Sequence, residues 1–450
     1  MTIVAKIGGK SQDSVEKVEG FAEQLKDAFG REEPLVLVVS AIGDTTDELE
    51  DAIKTGASDI SPLIEVHNNY FSRLGGDEDT YHSIVHDFTT FYNTYIRNPS
   101  HPLKSIISVC PERLASFLIA SVVQRTRGRK TLWLDFYDNR FPLVAEEGDR
   151  NYLSASVDVE KSKARSMREL LREYDIVIPG YGGVSLENGG NIKTFGRGGS
   201  DEATFGCGYG FDADQIWICT DQDGIKAAIL EGPYEKETET LTHLDIEEAK
   251  AAAFLGAKLP SEQALLPLER IYQKGGRPKV YIANAHNLSG NKTEIKPFDE
   301  SELSPARLVA GRDIVFYYVL NGRPRSLHAL RGSFIEAGID YRVFGESGTR
   351  AEIGVFGKGS DIADEIVQKY ERSLFVKRYD DRSIVGIVGS EIRDMVGLYG
   401  RVTKTLGGVD INILSSSDYN DFSTCSVISS EDRTKAVSLL YGALPLIRGV

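Results

Sequence analysis

The stretch Thr194-Phe195-Gly196-Arg197-Gly198-Gly199-Ser200-Asp201-Glu202-Ala203 sets an arginine among glycines immediately ahead of a helical pattern. Arginine presents a planar fork of donors matched to a carboxylate, and flanking glycines remove side chains that would obstruct its ligand. The segment therefore asks for an anion. A second glycine turn, Lys6-Ile7-Gly8-Gly9-Lys10-Ser11, closes an apolar run. There Gly8 and Gly9 would let backbone N–H groups approach phosphate oxygens, with Lys6 facing a transferred group. Taken alone, this segment reads more readily as a tight turn.

Three further segments carry chemistry-bearing side chains. Ser40-Ala41-Ile42-Gly43-Asp44-Thr45-Thr46 follows an apolar run, and Ser40 and Thr46 suit either a substrate carboxylate or a helix N-cap. Pro111-Glu112-Arg113-Leu114-Ala115-Ser116 opens an apolar-periodic helix, so Glu112 could hold an ammonium group or serve as an ordinary first-turn acid. Thr220-Asp221-Gln222-Asp223-Gly224 is a polar loop that could meet a nucleotide or its metal.

These loops need strands and helices to bring them together. From Ile3 to about Lys292, short apolar runs alternate with helical patterns: Ile3–Ile7, a helix from about Ser14, Leu35–Val39, a helix around Pro111–Arg127, then Thr131–Phe136. Ile176–Pro179, Ile216–Thr220 and Val280–Ala283 read as further strands. Such alternation predicts an α/β fold with a mostly parallel sheet between helices, where ligands gather at the carboxyl edge of the strands. The tract from Asp44 to Ser108 reads as a polar helical insertion, a lid or substrate-side subdomain. After Lys292 a βαββαβ pattern occurs twice, beginning at Asp313–Leu320 and Ser383–Val388, with Gly338–Val343 and Val409–Leu414 as later strands. A duplicated α+β module behind a larger domain suggests regulation, or alternatively a dimerisation device.

The composition is that of a globular, multidomain chain: 450 residues, 41% hydrophobic and 26% charged. A net charge of -15 argues against nucleic acid and against an anionic membrane surface, and favours a small-molecule partner. Cys110, Cys207, Cys219 and Cys425 form no close pair, so they are read as reduced, buried residues, and no protein-held metal site is expected. No uninterrupted apolar run reaches bilayer length, which predicts a cytoplasmic protein.

Together these segments resemble the aspartate kinase family, within the wider amino-acid kinase superfamily. The family's Lys-Phe-Gly-Gly-Thr-Ser is similar to Lys6–Ser11, its Val-Val-Ser-Ala to Val38–Ala41 and its Glu-Arg-Leu-Ser to the start of Glu112–Ser116. Its Phe-Gly-Arg-Gly-Gly-Ser-Asp is reproduced unchanged at Phe195–Asp201, the most specific match. Thr-Asp-Val-Asp-Gly resembles Thr220–Gly224, Phe-Gly-Ala-Lys resembles Leu255–Lys258, and the tandem modules resemble paired ACT domains.

The resemblance implies a kinase domain over 1–297 and a regulatory region over 298–450, with modules at about 311–375 and 380–450. It implies phosphorylation of the side-chain carboxylate of L-aspartate by ATP with magnesium, in a homo-oligomer responsive to an amino-acid effector. Lys6 and Asp201 would be catalytic. Ser40, Thr46, Glu112, Arg197 and Ser200 would bind substrate, with Arg197 on the α-carboxylate and Glu112 on the α-ammonium. Gly8, Gly9, Thr220, Asp221, Asp223 and Lys258 would bind nucleotide. Departures from the family include Lys10 in place of threonine, a missing aromatic and Asp-Pro-Arg segment after Gly224, the loss of the usual His-Pro at Leu259–Glu262, and Asn321–Arg325 where the first regulatory module usually has a Gly-Met and proline-bearing loop.

Overall fold

The computed structural model describes every residue except 148–151, 188–189, 197, 321–323, 338, 348, 358–359, 371–373 and 449–450. The chain forms two compact units. The first comprises Met1–Ile225, Thr240–Ile246 and Pro260–Pro297; the second comprises Lys226–Glu239, Glu247–Leu259 and Phe298–Val450.

In chain order the elements through the middle of the molecule are β1 (Ile3–Ile7), α1 (Val15–Phe29), β2 (Leu35–Val39), α2 (Thr45–Thr55), α3 (Ser61–Leu74), α4 (Glu78–Arg97), α5 (His101–Ser108), α6 (Cys110–Arg127), β3 (Lys130–Trp133), α7 (Val159–Arg165), β4 (Tyr174–Pro179), β5 (Gly182–Val184), β6 (Ile192–Thr194), α8 (Gly199–Gly210) and β7 (Gln215–Thr220). There follow β8 (Ile225–Lys226), β9 (Thr240–Leu241), β10 (His243–Asp245), α9 (Ile246–Phe254), α10 (Glu262–Gln273), β11 (Lys279–Asn284) and β12 (Lys292–Lys296).

The first unit is built on an eight-stranded sheet in the order β10, β12, β11, β7, β1, β2, β4, β3. All its pairs are parallel except β11 with β12. The central runs Ile3–Ile7 and Leu35–Val39 are apolar nearly throughout because both faces are covered, as a parallel sheet requires. Alternate residues point to opposite faces. Ile3, Ala5, Ile7, Leu35, Leu37 and Val39 enter one core with α1, α3, α4 and α6. Val4, Val36 and Val38 enter the other with Phe141, Ala203 and Cys207.

The register places the carboxyl ends of these strands side by side. Ile7 pairs with Val39 and with Cys219, Val39 with Pro179, and Thr220 with Asn284. Every turn singled out in the sequence for phosphate or carboxylate chemistry within this sheet therefore leaves the same edge.

The tract expected to be a helical insertion, a lid or substrate-side subdomain, is four helices, α2 to α5, whose buried residues share the sheet's core. Tyr70, Tyr81, Phe88 and Tyr92 join the same cluster as Ile3 and Leu37. Its polar surface is simply the outer face of amphipathic helices. The helical stretch His101–Arg127 is long and apolar enough by composition to cross a membrane, but Lys104, Glu112 and Arg113 interrupt it and 83% of its most apolar window is buried inside the fold.

The second unit contains β13 (Leu308–Leu320), α11 (Pro324–Glu336), β14 (Tyr341–Ser347), β15 (Arg350–Val355), α12 (Ser360–Tyr370), β16 (Phe375–Val388), α13 (Leu398–Gly407), β17 (Ser415–Ser417), β18 (Ser423–Ser429), α14 (Arg433–Gly442) and α15 (Leu444–Arg448). Its six-stranded antiparallel sheet runs β14, β15, β13, β16, β18, β17. The ACT-like repeat is thus present, but β13 and β16 are long central strands paired from Leu308–Val388 to Leu320–Phe375, with an irregularity between Ile314 and Phe316. Each long strand serves both halves. The strand expected at Val409–Leu414 lies later, at Ser415–Ser417, because a turn at 408–410 ends α13 and the chain then runs without strand pairing to Leu414. Gly338 lies outside the described residues.

Candidate active site

At the end of β1 the chain turns so tightly that only glycine fits. A Cβ on Gly9 would lie 2.6 Å from the Gly43 carbonyl oxygen and 2.8 Å from that of Ala41. These are backbone atoms that cannot rotate away. The Gly43 N–H donates to the Gly9 carbonyl (3.1 Å), and the Gly8 N–H donates to the Cys219 carbonyl (3.2 Å), tying the turns after β1, β2 and β7 together. Fully buried Gln12 adds a brace, its Nε2 donating to the Ser40 carbonyl at 2.7 Å. Gln12 is in turn held by the Tyr70 hydroxyl, which donates to its carbonyl (2.8 Å).

Lys6, the penultimate residue of β1, projects its Nζ to 2.9 Å from Asp201 Oδ1, both side chains being largely buried. Asp201 lies in the first turn of α8, which the glycine-rich segment makes possible. Gly196 (φ +71) and Gly198 (φ +80) occupy the left-handed region, where an L side chain is strained. Helix N-termini carry partial positive charge and unpaired N–H groups, so the amino end of α8 favours an anion.

Ser200, the second residue of α8, donates its Oγ to Glu112 Oε1 at 2.8 Å. Glu112 Oε2 accepts the Gly180 N–H at 2.8 Å. Glu112 is only 3% exposed. Burial pushes its carboxyl up to about 7, although bonds from Ser200 and the backbone of Gly180 and Tyr181, and the charge of Lys6, pull the other way. Gly180 is required here too, since its Cβ would fall 2.6 Å from Val38 Cγ1 and 3.0 Å from Ser200 Cβ.

These groups line one cleft of about 240 Å³, with Lys6, Gly9, Ser40, Thr46, Glu112, Tyr181, Ser200 and Asp201 on its walls. Ser40 and Thr46 are not helix caps: the capping position of α2 is Asp44, with Thr46 inside the helix. Tyr181 and Gln12 went unremarked in the sequence. Tyr181 had a signal, standing before Gly182 and Gly183 at the end of a strand; Gln12 had none, because its partners lie 28 and 58 residues away. Lys10, the extra cation of the glycine turn, is exposed and does not line the cleft. An acidic carboxylate, hydroxyls, a lysine and a positive helix end in one small cleft can hold a zwitterion and stabilise developing negative charge.

Gly8 and the Thr220–Gly224 turn lie at the neighbouring strand ends. Thr220 Oγ1 accepts the Gln222 N–H (3.1 Å), and Asn284 Nδ2 donates to Asp223 Oδ1 (2.8 Å), so the turn after β7 is fixed by the residue ending β11. Gly224 (φ +72) admits no side chain, its Cβ position lying 2.8 Å from Thr293 Oγ1. Asp221 is exposed. Lys258 is exposed and belongs to the second unit, and Arg197 lies outside the described residues.

The sequence of residues 1–284 matches the amino acid kinase family. The chain is 23% identical over 465 residues to an aspartate kinase of Pseudomonas fluorescens, covering 99% of this chain and 97% of the relative. It is 22% identical over 481 residues to the chloroplastic aspartokinase 2 of Arabidopsis thaliana, covering 98% and 84%. Its fold matches that of Escherichia coli aspartokinase III, solved with aspartate and ADP, with a TM-score of 0.80 at 18% identity over 99% of this chain and 100% of the other. The unbroken glycine-framed motif, the parallel sheet and the edge at which its turns converge are thus those of a known family: the chain belongs to the amino acid kinase family.

Proposed function

We propose that the chain is an ATP-dependent aspartate kinase, converting L-aspartate and ATP to 4-phospho-L-aspartate and ADP. The observation that carries this reading is the convergence of the Lys6–Asp201 pair and the Glu112–Ser200 network in one cleft at the carboxyl edge of the sheet. The similarity to aspartate kinases along nearly the whole chain supports the choice of acceptor.

In this reading Glu112 receives the α-ammonium, Arg197 the α-carboxylate, and Ser40, Thr46 and Ser200 orient the acceptor. A side-chain carboxylate oxygen attacks the γ-phosphorus; the bond to the β,γ-bridging oxygen breaks and ADP leaves. Lys6 offsets charge on the transferred group, and Asp201 holds its ammonium in place. Gly8, Gly9, Thr220, Asp221 and Asp223 serve the nucleotide. Magnesium, carried by the nucleotide phosphates, would supply further charge neutralisation. Residues 1–297 act as the kinase domain and 298–450 as a regulatory region taking an amino-acid effector and supporting assembly into an oligomer.

The test is hydroxylamine trapping of acyl phosphate with magnesium ATP and a panel of amino acids. Aspartyl hydroxamate above all other products is the expected outcome. Product from a different acceptor, or none from any, would overturn the assignment.

A further inference from the structure

We propose that Glu202, one residue beyond the partner of Lys6, is a positioning residue for acceptor binding, its carboxyl group pinning Tyr152–Val157 against the Gly196 turn. The kinetic part of the argument rests on the aspartate kinase reading; the structural part does not.

Glu202 is 2% exposed and does not line the cleft. Its Oε1 accepts the Val157 N–H at 2.7 Å. Val157 pairs antiparallel with Ala145, the Ala155 N–H donates to the Thr194 carbonyl (2.9 Å), and the Thr194 N–H donates to the Tyr152 carbonyl (2.9 Å). The segment so held runs directly beside the glycine turn, where the Cβ position of Gly196 lies 3.4 Å from Ser154 Cβ. Gln263 of α10 supports it from another side, its Nε2 donating to Ser156 Oγ (2.7 Å). Gly196 is therefore boxed between Tyr152–Val157 and the start of α8.

A buried carboxylate is a costly way to fill space, so its use here points to the N–H it satisfies. Among the described residues the charged groups facing it are few. Glu146 lies nearby on the paired strand, Lys193 of β6 donates its Nζ to the Glu146 carbonyl (2.9 Å), and Asp201 is engaged with Lys6. Burial pushes the Glu202 carboxyl up to about 8, against the bond from Val157 and with the charge of Glu146. It is thus protonated when pinned at neutral pH and would ionise readily if released. With a raised value in the packed state, the pinned form is fully favoured below the ordinary 4.5, weakens as pH rises toward about 8, and changes no further beyond.

The test compares full-length wild type, E202A and E202Q by hydrogen exchange of the 152–158 region and by aspartate kinetics. E202A is expected to speed exchange at Val157 and raise the aspartate KM about 5- to 100-fold, with kcat within about threefold, as befits a lost buried hydrogen bond acting through substrate binding. E202Q retains an acceptor, so it is expected to restore both. The exchange rate of wild type relative to E202Q should rise between pH 5.5 and 8 and then level. Unchanged protection in E202A, a fall in kcat with KM unaltered, or a wild-type to E202Q ratio flat with pH would each overturn the inference. The last comparison suffices should E202A fail to fold. Absence of hydroxamate from wild type would count against the kinase reading alone, because the exchange measurements need no turnover.

Discussion

Replacing Glu112 by glutamine preserves the shape of the side chain while removing its titration. A glutamine can still accept from the Gly180 N–H and can donate to the Ser200 hydroxyl, so the local bonds survive. In the unliganded protein burial holds the Glu112 carboxyl at about 7, and the gap from its ordinary 4.5 corresponds to about 3 kcal/mol. The sign is that of a raised acid: this contribution to stability is complete below pH 4.5 and lost as pH rises through about 7. An α-ammonium placed beside the carboxylate reverses the preference, because an adjacent cation favours the charged form. Aspartate binding should therefore expel a proton, ~0.9 per site at pH 6, ~0.5 at pH 7 and ~0.03 at pH 8.5. Calorimetric titration in buffers of different ionisation enthalpy counts that proton directly. Glu112→Gln should release none at any pH and bind aspartate about 10- to 100-fold more weakly, the loss of one charge-assisted contact. No proton release by wild type at pH 6, or equal release by the variant, would refute the placement of the ammonium.

Lys6→Met keeps an unbranched side chain one atom shorter but leaves Asp201 without its cation, so kcat should fall about 10²- to 10³-fold with the fold intact; kcat within tenfold of wild type in steady-state assays would contradict the role. Gly9→Ala drives a methyl into the Gly43 and Ala41 carbonyls, which should cost about 1–3 kcal/mol in denaturant unfolding and raise the KM for ATP. An unchanged unfolding midpoint would show that the turn is looser than its contacts require.

What could be read from the sequence follows from how local each signal is. The short, largely apolar runs at Ile3–Ile7 and Leu35–Val39 suit strands covered on both faces, and both appear with the expected bounds. Ser14 announces its helix because its Oγ caps the Lys17 N–H within one turn. Glu112 and Ser200 could be suspected separately. Their direct bond spans 88 residues and depends on how α6 and α8 pack on the sheet, which no local pattern encodes. The same holds for Gln12. The helices between Asp44 and Ser108 were legible as helices on the substrate side, but polarity reports only the outer face of a helix, whereas Tyr81, Phe88 and Tyr92 decide what it packs against. In the second unit the repeat was visible, but the sharing of β13 and β16 between halves is a matter of long-range pairing.

The most direct test of the central claim uses L-aspartate carrying ¹⁸O in its side-chain carboxylate, with magnesium ATP and hydroxylamine. Transfer of the γ-phosphoryl group to that carboxylate makes its oxygen the bridge of the acyl phosphate, and hydroxylamine attack at the acyl carbon then releases it within inorganic phosphate. One ¹⁸O per phosphate released is predicted, and none when only the α-carboxylate is labelled. Unlabelled phosphate from side-chain-labelled aspartate would mean that ATP is being cleaved without transfer to the acceptor, contradicting the proposed reaction.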